Sequence, residues 1–194
     1  GDGFVAIWYD QSGNANNAAQ TTAANQPKIV SSGNILSLNS KPCINFDGSN
    51  GFSIGTEITS NTHSIFLTAG SVTGSGWILA ETTNYLNFLR PNASPLFRIG
   101  GSPNYTINTD LFTTQAIVSW LRVTSSSNIY RNTALNTSTA VVTSNGKFSA
   151  IGAKIGDYST GLNGRVQDVI IYTTDQASNR TGIETNINAY YGIY

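Results

Sequence analysis

The stretch that most constrains the fold is the run from Leu162 to Tyr172, Leu-Asn-Gly-Arg-Val-Gln-Asp-Val-Ile-Ile-Tyr. In an extended strand, successive side chains point to opposite faces. One face would then hold Val166, Asp168, Ile170 and Tyr172, and the other Arg165, Gln167, Val169 and Ile171. Apolar side chains accumulate on both faces towards the end of the run, which is typical of a central strand that is covered on both sides.

A helix is predicted after this strand, because from about Asp175 the apolar spacing changes from two residues to near 3.6. Ile183, Ile187 and Tyr190 or Tyr191 would share one helical face. Asp175 or Ser178 is available as the N-cap, and Gly192 as the terminator.

Many short strand segments precede this region, separated by clusters of Gly, Asn, Ser and Pro. They are Phe4–Tyr9, Ile35–Leu38, Cys43–Phe46, Phe52–Ile54, His63–Ala69, Gly76–Glu81, Tyr85–Arg90, Leu96–Ile99, Tyr105–Asn108, Thr114–Val123, Asn128–Arg131, Thr139–Val142 and Phe148–Ile155. This pattern, with one helix near the end, predicts an all-β fold, a two-sheet antiparallel jelly-roll sandwich with one C-terminal helix.

The length of 194 residues suits a single domain over residues 1–194. Because the sequence contains no Met, we expect this domain to be a fragment of a longer protein.

The charge pattern excludes some partners. Ten basic and ten acidic residues give a net charge of zero, and the basic residues are scattered instead of forming the patch that nucleic-acid binding needs. No apolar run approaches the roughly 18 to 20 residues needed to span a bilayer, so membrane insertion is not expected. Charged residues make up 10% of the chain, and the neutral polar surface favours an extracellular, cell-surface or virion-exposed location.

Three motifs occur in a characteristic order: Trp-Tyr-Asp-Gln-Ser-Gly-Asn from Trp8, Gln-Pro-Lys-Ile-Val from Gln26, and Ile-Asn-Phe-Asp-Gly from Ile44. This order resembles the opening of lectin-like domains in bacterial surface proteins and phage virion proteins, and of the family 54 α-L-arabinofuranosidase catalytic domain. The strand ending at Tyr172 resembles the last core strand of laminin-G-like and concanavalin A-like lectin/glucanase domains. The resemblance implies a concanavalin A-like sandwich that binds a glycan or polysaccharide, with further sequence before the Trp-Tyr-Asp motif.

A first candidate binding element is the segment from Gly76 to Asn84. If it is extended, Trp77, Leu79, Glu81 and Thr83 share one face, so that a carboxylate lies in line with an indole ring. Sugars are often bound in this way, with C–H groups stacked on the ring and hydroxyls bonded to a fixed acceptor. The alternative is that Trp77 belongs to the core and Glu81 marks the solvent end of the strand.

The same segment is similar to the stretch that carries the nucleophile of family 54 arabinofuranosidases, with agreement at Trp77, Ile78, Ala80 and Asn84. Glu81 falls on an Asp of that stretch, and Thr83 falls on the nucleophilic Glu. A retaining glycosidase needs two carboxylates about 5 Å apart, and threonine cannot form the glycosyl ester. The stretch Gly-Asp-Tyr-Ser around Asp157 resembles the one that carries the family's acid/base. An inverting reaction by Glu81 and Asp157 therefore stays open as an alternative, although we expect a non-catalytic module.

Other polar and aromatic residues could complete a glycan site. Asp157, Tyr158 and Asn163 precede or open the organising strand, and Arg98 lies on a predicted neighbouring strand. The predicted ligand-binding residues are therefore Trp77, Glu81, Arg98, Asp157, Tyr158 and Asn163. Tyr105 and Tyr130 could add stacking surface, whereas Trp8 and Trp120 are expected in the core.

No cofactor is expected, although a structural calcium ion is possible. Asp10 with residues 14–17, or Asp47 with Asn50, could supply oxygen ligands, but turn capping is the favoured role. His63 is the only histidine, which argues against a His-based triad or a zinc site. Cys43 is the only cysteine and is expected to be a buried small hydrophobe.

Two functional classes follow from these patterns. We expect a carbohydrate-binding module of a surface or virion protein, multimeric within a larger assembly. The alternative is a structural or decoration domain of a phage or fibre assembly that has no ligand.

Overall fold

The computed structural model describes residues 1–73, 76–80, 96–97, 105–106, 111–140, 145–153 and 161–194. Its strands are β1 (Gly3–Phe4), β2 (Ile7–Trp8), β3 (Ala18–Ala19), β4 (Lys28–Ser31), β5 (Asn34–Ile35), β6 (Ser37–Leu38), β7 (Lys41–Pro42), β8 (Ile44–Asp47), β9 (Phe52–Ser60), β10 (Thr62–Thr73), β11 (Leu79–Ala80), β12 (Leu96–Phe97), β13 (Tyr105–Thr106), β14 (Ala116–Val123), β15 (Ser126–Arg131), β16 (Ala134–Ala140), β17 (Gly146–Ile151) and β18 (Asn163–Tyr172). A 3-10 turn covers Ala23–Asn25, and one helix, α1, covers Arg180–Tyr191.

The larger sheet is organised around β18. Across the described residues its strands lie in the order β1-β4-β8-β18-β10-β14-β15-β16, with β5 paired to β4. All of these pairings are antiparallel, and β18 lies between β8 and β10. The prediction of a central strand ending at Tyr172 is therefore confirmed.

The smaller sheet has the order β11-β17-β9-β3-β2 over the same described parts of the chain. The two sheets enclose a core in which Phe46, Ile65 and Trp120 of the larger sheet cluster with Phe52 and Phe148 of the smaller sheet. Each of these side chains is at most 1% exposed. The predicted antiparallel jelly-roll sandwich with one C-terminal helix is confirmed.

Helix α1 covers the outer face of the larger sheet, where Ile187 packs with Phe66 and Ile117. Glu184 is 1% exposed, accepts a hydrogen bond of 2.6 Å from Ser119 Oγ and pairs with Arg180 at 2.6 Å. This ion pair satisfies a carboxylate that would otherwise be buried at a high energetic cost.

The ends of α1 follow the predicted chemistry in part. Gly192 ends the helix in the left-handed conformation, with φ 61°, as predicted. The N-cap is Asn179, so the predictions of Asp175 and Ser178 were wrong. The Asp175 carboxylate instead accepts the backbone N–H of Ala177 at 2.9 Å and forms a turn before the helix.

The strict alternation predicted for β18 was also wrong. Val166 packs in the main core together with Val169 and Ile171, whereas Ile170 packs on the helix side. The reason is a β-bulge, because Thr68 pairs with Asp168 while the next residue, Ala69, pairs with Val166. Because of this extra residue, the side chains that follow it in β18 point to the opposite face of the sheet from the one that strict alternation predicts.

The bulged residue, Gln167, fastens the β6–β7 hairpin to the sheet. Its Nε2 lies 3.1 Å from the carbonyl oxygens of Leu38 and Lys41 and 3.3 Å from that of Pro42. The backbone irregularity therefore places one amide group where several carbonyls need a donor.

The first predicted strand, Phe4–Tyr9, is two short strands in different sheets. β1 pairs with β4 in the larger sheet, and β2 pairs with β3 in the smaller sheet. Phe4, Ile7 and Tyr9 are 52%, 42% and 63% exposed, so these residues are not the core strand that their apolar character predicts. The predicted strand Ile35–Leu38 is likewise divided, between β5 and β6.

Candidate functional site

Two of the six predicted binding residues, Trp77 and Asn163, are described by the structure. Glu81, Arg98, Asp157 and Tyr158 lie outside the described residues, as does Thr83, and the side chain of Tyr105 is not described. The predictions for these residues, including catalysis by Glu81 and Asp157, stay predictions.

Trp77 lies in the main core and is 9% exposed. It forms a parallel bridge with Gly161, two residues before Asn163. Asn163 is exposed and lies opposite Asp47 of β8. The bridge thus brings the segment of Trp77 beside the segment that leads to Asn163, but burial leaves little of the indole surface for a sugar.

A backbone crossing explains why Trp77 is held so tightly. The N–H of Gly48 donates to Leu162 O at 2.8 Å, the N–H of Leu162 donates to Gly152 O at 2.6 Å, and the N–H of Gly152 donates to Ile78 O at 2.9 Å. A Cβ atom on Gly161 would lie 2.5 Å from Gly48 O, and one on Gly76 would overlap the carbonyl of Gly161. Only glycine permits so close an approach of several backbones.

A cleft of about 600 Å³ opens between the two sheets, and Trp77 is not among its lining residues. Aliphatic side chains line it from both sheets, namely Ile54, Ile58, Ile151, Val169 and Ile171. Trp8 and Tyr9 stand at the cleft with the loop that follows them. The cleft therefore joins apolar side chains with aromatic rings and neutral polar groups, a combination typical of small-ligand sites.

The polar loop beside the cleft is fixed by Asp10. Its carboxylate accepts the backbone N–H of Ser12 at 2.8 Å, the Ser12 hydroxyl at 2.9 Å and the backbone N–H of Asn16 at 2.9 Å. In return, Asn17 Oδ1 accepts the N–H of Asp10 at 2.9 Å. The turn-capping role that the sequence favours for Asp10 is confirmed.

These bonds also set the ionisation of Asp10. The pKa of its carboxyl group is lowered, chiefly by the N–H of Ser12, then by the Ser12 hydroxyl and the N–H of Asn16. Asp10 therefore presents a charged, fully engaged carboxylate to the loop at neutral pH.

Asp168 is the other charged residue of the cleft lining, and no Lys or Arg belongs to the lining within the described ranges. Burial raises the pKa of its carboxyl group, and the nearby N–H of Val169 opposes this shift. By alternation with Ile170, Asp168 directs its side chain to the helix side of β18, where burial and, after it, this carboxylate raise the pKa of Tyr191.

Asp47, the other calcium candidate, caps a turn in the same manner as Asp10. Its carboxylate accepts the N–H of Ser49 at 3.0 Å and the Ser49 hydroxyl at 2.7 Å. Within the described ranges, no group of three or more His, Cys, Asp or Glu residues is placed to hold a metal ion. The capping role that the sequence favours is thus seen for both carboxylates.

His63 and Cys43 are buried. His63 is completely buried, with its ring against those of Trp120 and Phe148 at 4.8 and 5.1 Å between centroids. Cys43 is 2% exposed, and burial raises the pKa of its thiol, as expected for a core residue.

Among the described residues, no helix has the length and the apolar character that a membrane span requires.

One feature of the sequence marks the cleft, although its tryptophan, Trp8, is predicted to lie in the core. Trp8 was assigned to the core, and it does pack partly against the core, with its ring 6.2 Å from that of Phe52. Its neighbour Tyr9 is exposed, and the loop of Asp and Asn residues follows directly. The feature of the sequence that indicates the cleft is therefore an aromatic pair, Trp8 and Tyr9, followed by a polar loop that caps its own backbone.

Several solved structures have a fold similar to that of this chain. Domain 4 of AbnA, a GH43 extracellular arabinanase from Geobacillus stearothermophilus, was solved in complex with arabinotriose and matches with a TM-score of 0.58 and 13% identity over 77% of this chain and 79% of that one. A SAP-like pentraxin from Limulus polyphemus matches with a TM-score of 0.57 and 13% identity over 75% of this chain and 82% of that one.

The Trypanosoma rangeli sialidase in complex with the inhibitor DANA matches with a TM-score of 0.63 and 11% identity, over 90% of this chain and 30% of the sialidase. No protein-family model matches the sequence. A search of curated proteins finds no similar sequence. The solved structures show that this chain shares its β-sandwich fold with domains of these proteins.

Proposed function

We propose that the chain is a non-catalytic carbohydrate-binding module of a surface-exposed or secreted protein, and that the mouth of the cleft is its sugar site. The observation that carries the proposal is Tyr9, which is 63% exposed and lies next to the loop fixed by Asp10. An exposed aromatic ring offers a stacking surface for sugar C–H groups. The polar side chains of Gln11, Ser12 and Asn14 line the same cleft and can bond to hydroxyls.

The rigidity of the loop supports this role. A site that is ordered before binding loses less conformational entropy on association. Asp10 holds both ends of the loop through its bonds to Ser12 and Asn16. A neutral sugar would then meet donors and acceptors that are already in place.

The fold adds general support. AbnA domain 4, whose structure contains arabinotriose, has a similar fold over most of its length. Shallow sugar sites leave much of the ligand in contact with solvent, so we expect modest affinity for one site and useful avidity from several copies.

A glycan array tests the proposal with the wild type and matched variants. Tyr9→Ala should weaken binding about fivefold, because one stacked ring contributes about 1 kcal/mol. Tyr9→Phe should keep most of the affinity. Tyr190→Ala is the control, since Tyr190 is 57% exposed and lies on helix α1 instead of the cleft.

The same array discriminates between the two candidate sites. If Trp77→Ala, still folded by circular dichroism, loses binding while Tyr9→Ala keeps it, the site is the one predicted from Trp77, Glu81, Arg98, Asp157, Tyr158 and Asn163. Absence of any glycan signal from the wild type would contradict the carbohydrate proposal itself.

The absence of catalysis is part of the proposal and has its own measurement. We expect no turnover when the chain is incubated with a broad panel of aryl glycosides. Hydrolysis that disappears in Asp157→Asn would instead support the inverting glycosidase.

A further inference from the structure

The tripeptide Ser-Asn-Gly occurs at residues 49–51 and again at residues 144–146, and a further Asn-Gly pair is Asn163-Gly164. An asparagine that precedes glycine is prone to lose its side-chain amide, because the backbone nitrogen of the glycine can close a succinimide ring on the side chain. Glycine favours this closure, since it has no Cβ atom to crowd the ring. The pairs carry the same reactive groups, so the fold decides which of them reacts.

The pair at Asn50 is buried, and its backbone is hydrogen-bonded. Asn50 is 4% exposed, and its Oδ1 accepts the N–H of Asp47 at 3.4 Å. The N–H of Gly51, which is the group that would attack, donates to Asn25 O at 3.2 Å. Ring closure would break both bonds, and a bonded amide becomes available only when the structure opens locally. The fold therefore protects Asn50.

The pair at Asn163 lies within the central strand. Asn163 is exposed, but it lies opposite Asp47 of β8 on one edge and Thr73 of β10 on the other. Ring closure needs rotation about the Cα–C bond of the asparagine, and pairing on both edges holds this bond in the extended conformation. A Cβ atom on Gly164 would be 2.7 Å from Val72 Cγ2, so the backbone has little room to turn. The strand therefore protects Asn163 in spite of its exposure.

The pair at Asn145 is placed differently. Asn145 is exposed and belongs to no strand, and Gly146 is the first residue of β17. The peptide bond that would react thus joins a residue outside the sheet to the end of a strand, where pairing opens most readily. Water reaches the Asn145 side chain without any change in the fold.

Packing explains why a glycine follows Asn145. A Cβ atom on Gly146 would be 2.9 Å from His63 Cε1 and 3.2 Å from Ser60 O. His63 is completely buried, so its ring has little room to move aside. The fold therefore requires at position 146 the residue type that makes the preceding asparagine most reactive.

We propose that Asn145 is a site of spontaneous deamidation in the folded chain, and that the fold prevents the same reaction at Asn50 and Asn163. The nitrogen of Gly146 gives up its proton and bonds to Cγ of Asn145, the Cγ–Nδ2 bond breaks, and ammonia leaves with the proton. Water then opens the succinimide at either of its carbonyl carbons. One opening gives aspartate, and the other gives isoaspartate, whose main chain is longer by a methylene group.

The isoaspartate form would disturb the smaller sheet. β17 pairs with β9 from Gly146 opposite Ser60 onwards. An extra methylene group directly before Gly146 would displace this residue from Ser60 and from the ring of His63. Aspartate at position 145 leaves the backbone unchanged. We therefore expect residues 146–148 to lose protection from hydrogen exchange in the isoaspartate form and to keep it in the aspartate form.

Peptide mapping of the wild-type chain measures the reaction at every Asn-Gly pair together. The folded chain is incubated at mildly alkaline pH, which favours removal of the proton from the attacking nitrogen, and mass spectrometry gives the deamidated fraction at each site. We expect Asn145 to react at least about tenfold faster than Asn50 and Asn163, because these two require local opening. In urea, Asn50 and Asn145 should react at equal rates, because both lie in the tripeptide Ser-Asn-Gly.

A rate at Asn145 in the folded chain that is no greater than the rate at Asn50 would overturn the proposal. A difference that persists unchanged in urea would also overturn it, since the fold would then not be its cause. Asn145→Gln is the matched variant, because it keeps the amide but makes ring closure slow, and it should abolish the reaction at this position alone.

Asn145→Asp supplies the reference for the aspartate form in hydrogen exchange. Equal protection of residues 146–148 in this variant and in the isoaspartate form would contradict the displacement of β17. None of the three asparagines lines the cleft, so these results are independent of the sugar site.

Discussion

At the scale of single residues, His63 combines complete burial with a titratable side chain. Burial and, after it, the neighbouring Arg122 guanidinium lower its pKa to about 3, although a hydrogen bond with the Ser60 backbone acts in the opposite direction. The folded chain therefore keeps this imidazole neutral. The unfolded chain binds a proton near the ordinary value of about 6.5.

This difference predicts the direction of a pH effect on stability. Because the folded pKa is depressed, the stability contribution is complete above about pH 6.5 and is lost as the pH falls towards 3. Between pH 7 and pH 5 the free energy of unfolding should fall by about 2 kcal/mol. Urea denaturation at the two pH values measures it.

A matched variant isolates the histidine. His63→Leu should lose this pH dependence, and the carboxyl groups should contribute equally to both proteins. Since His63 is the only histidine of the chain, an equal fall in the free energy of unfolding in the wild type and in His63→Leu would contradict the assignment.

Glycines at the backbone crossing give a second prediction at this scale. Gly161→Ala would place a Cβ atom 2.5 Å from Gly48 O, so the crossing strands would have to separate. We expect a loss of about 3 kcal/mol in the free energy of unfolding, or failure to fold. Thermal denaturation and yield of soluble protein measure the effect.

Gly182 is the control for this substitution, because it lies exposed in α1 and a Cβ atom there would have no neighbour within 4 Å. Gly182→Ala should be neutral or should stabilise the chain by up to about 1 kcal/mol. Equal losses in the two variants would show that the crossing does not require glycine.

At the scale of elements, the β-bulge in β18 joins the central strand to the β6–β7 hairpin through Gln167. Gln167→Ala removes the donor that three carbonyl oxygens share. We expect a loss of about 1 to 3 kcal/mol and faster hydrogen exchange in residues 37–42. Gln11→Ala, in the exposed loop, should change neither quantity, and unchanged exchange in Gln167→Ala would contradict the fastening role.

The same element shows what the sequence could and could not predict. β18 was recognisable because apolar residues on both faces mark a central strand. The bulge was not recognisable from the sequence. Its extra residue arises from pairing with β10, whose Thr68 and Ala69 are distant in the sequence. The break between β1 and β2 was hidden for the same reason, since apolar character alone does not determine to which sheet a residue belongs.

The candidate site was predictable only where its chemistry is local. The loop fixed by Asp10 followed from residue types that cap their own backbone. The cleft could not be predicted from residue types, because it brings Trp8, Ile58 and Ile171 together from three distant segments. For Trp77, alternation placed the indole on one face of a strand but could not tell whether that face is covered.

At the scale of the whole molecule, α1 is required to cover the outer face of the larger sheet. Phe66, Ile117 and Ile170 would be exposed without it. A chain that ends at Thr174 should aggregate or lose its cooperative unfolding transition, because a large apolar patch would meet water. Size-exclusion chromatography and thermal denaturation test this, and a monomeric, cooperative truncated chain would contradict it.

The first eight residues cross from one layer of the sandwich to the other, since β1 belongs to the larger sheet and β2 to the smaller. Each is attached through two residues at the outer end of its sheet. Tension applied at the amino terminus would therefore act on a two-residue strand at the edge of each layer in succession and separate these strands one after another. The ten-residue β18, held between two neighbours, would bear load only afterwards. In a pulling experiment, the amino-terminal end should yield at low force and the centre at high force.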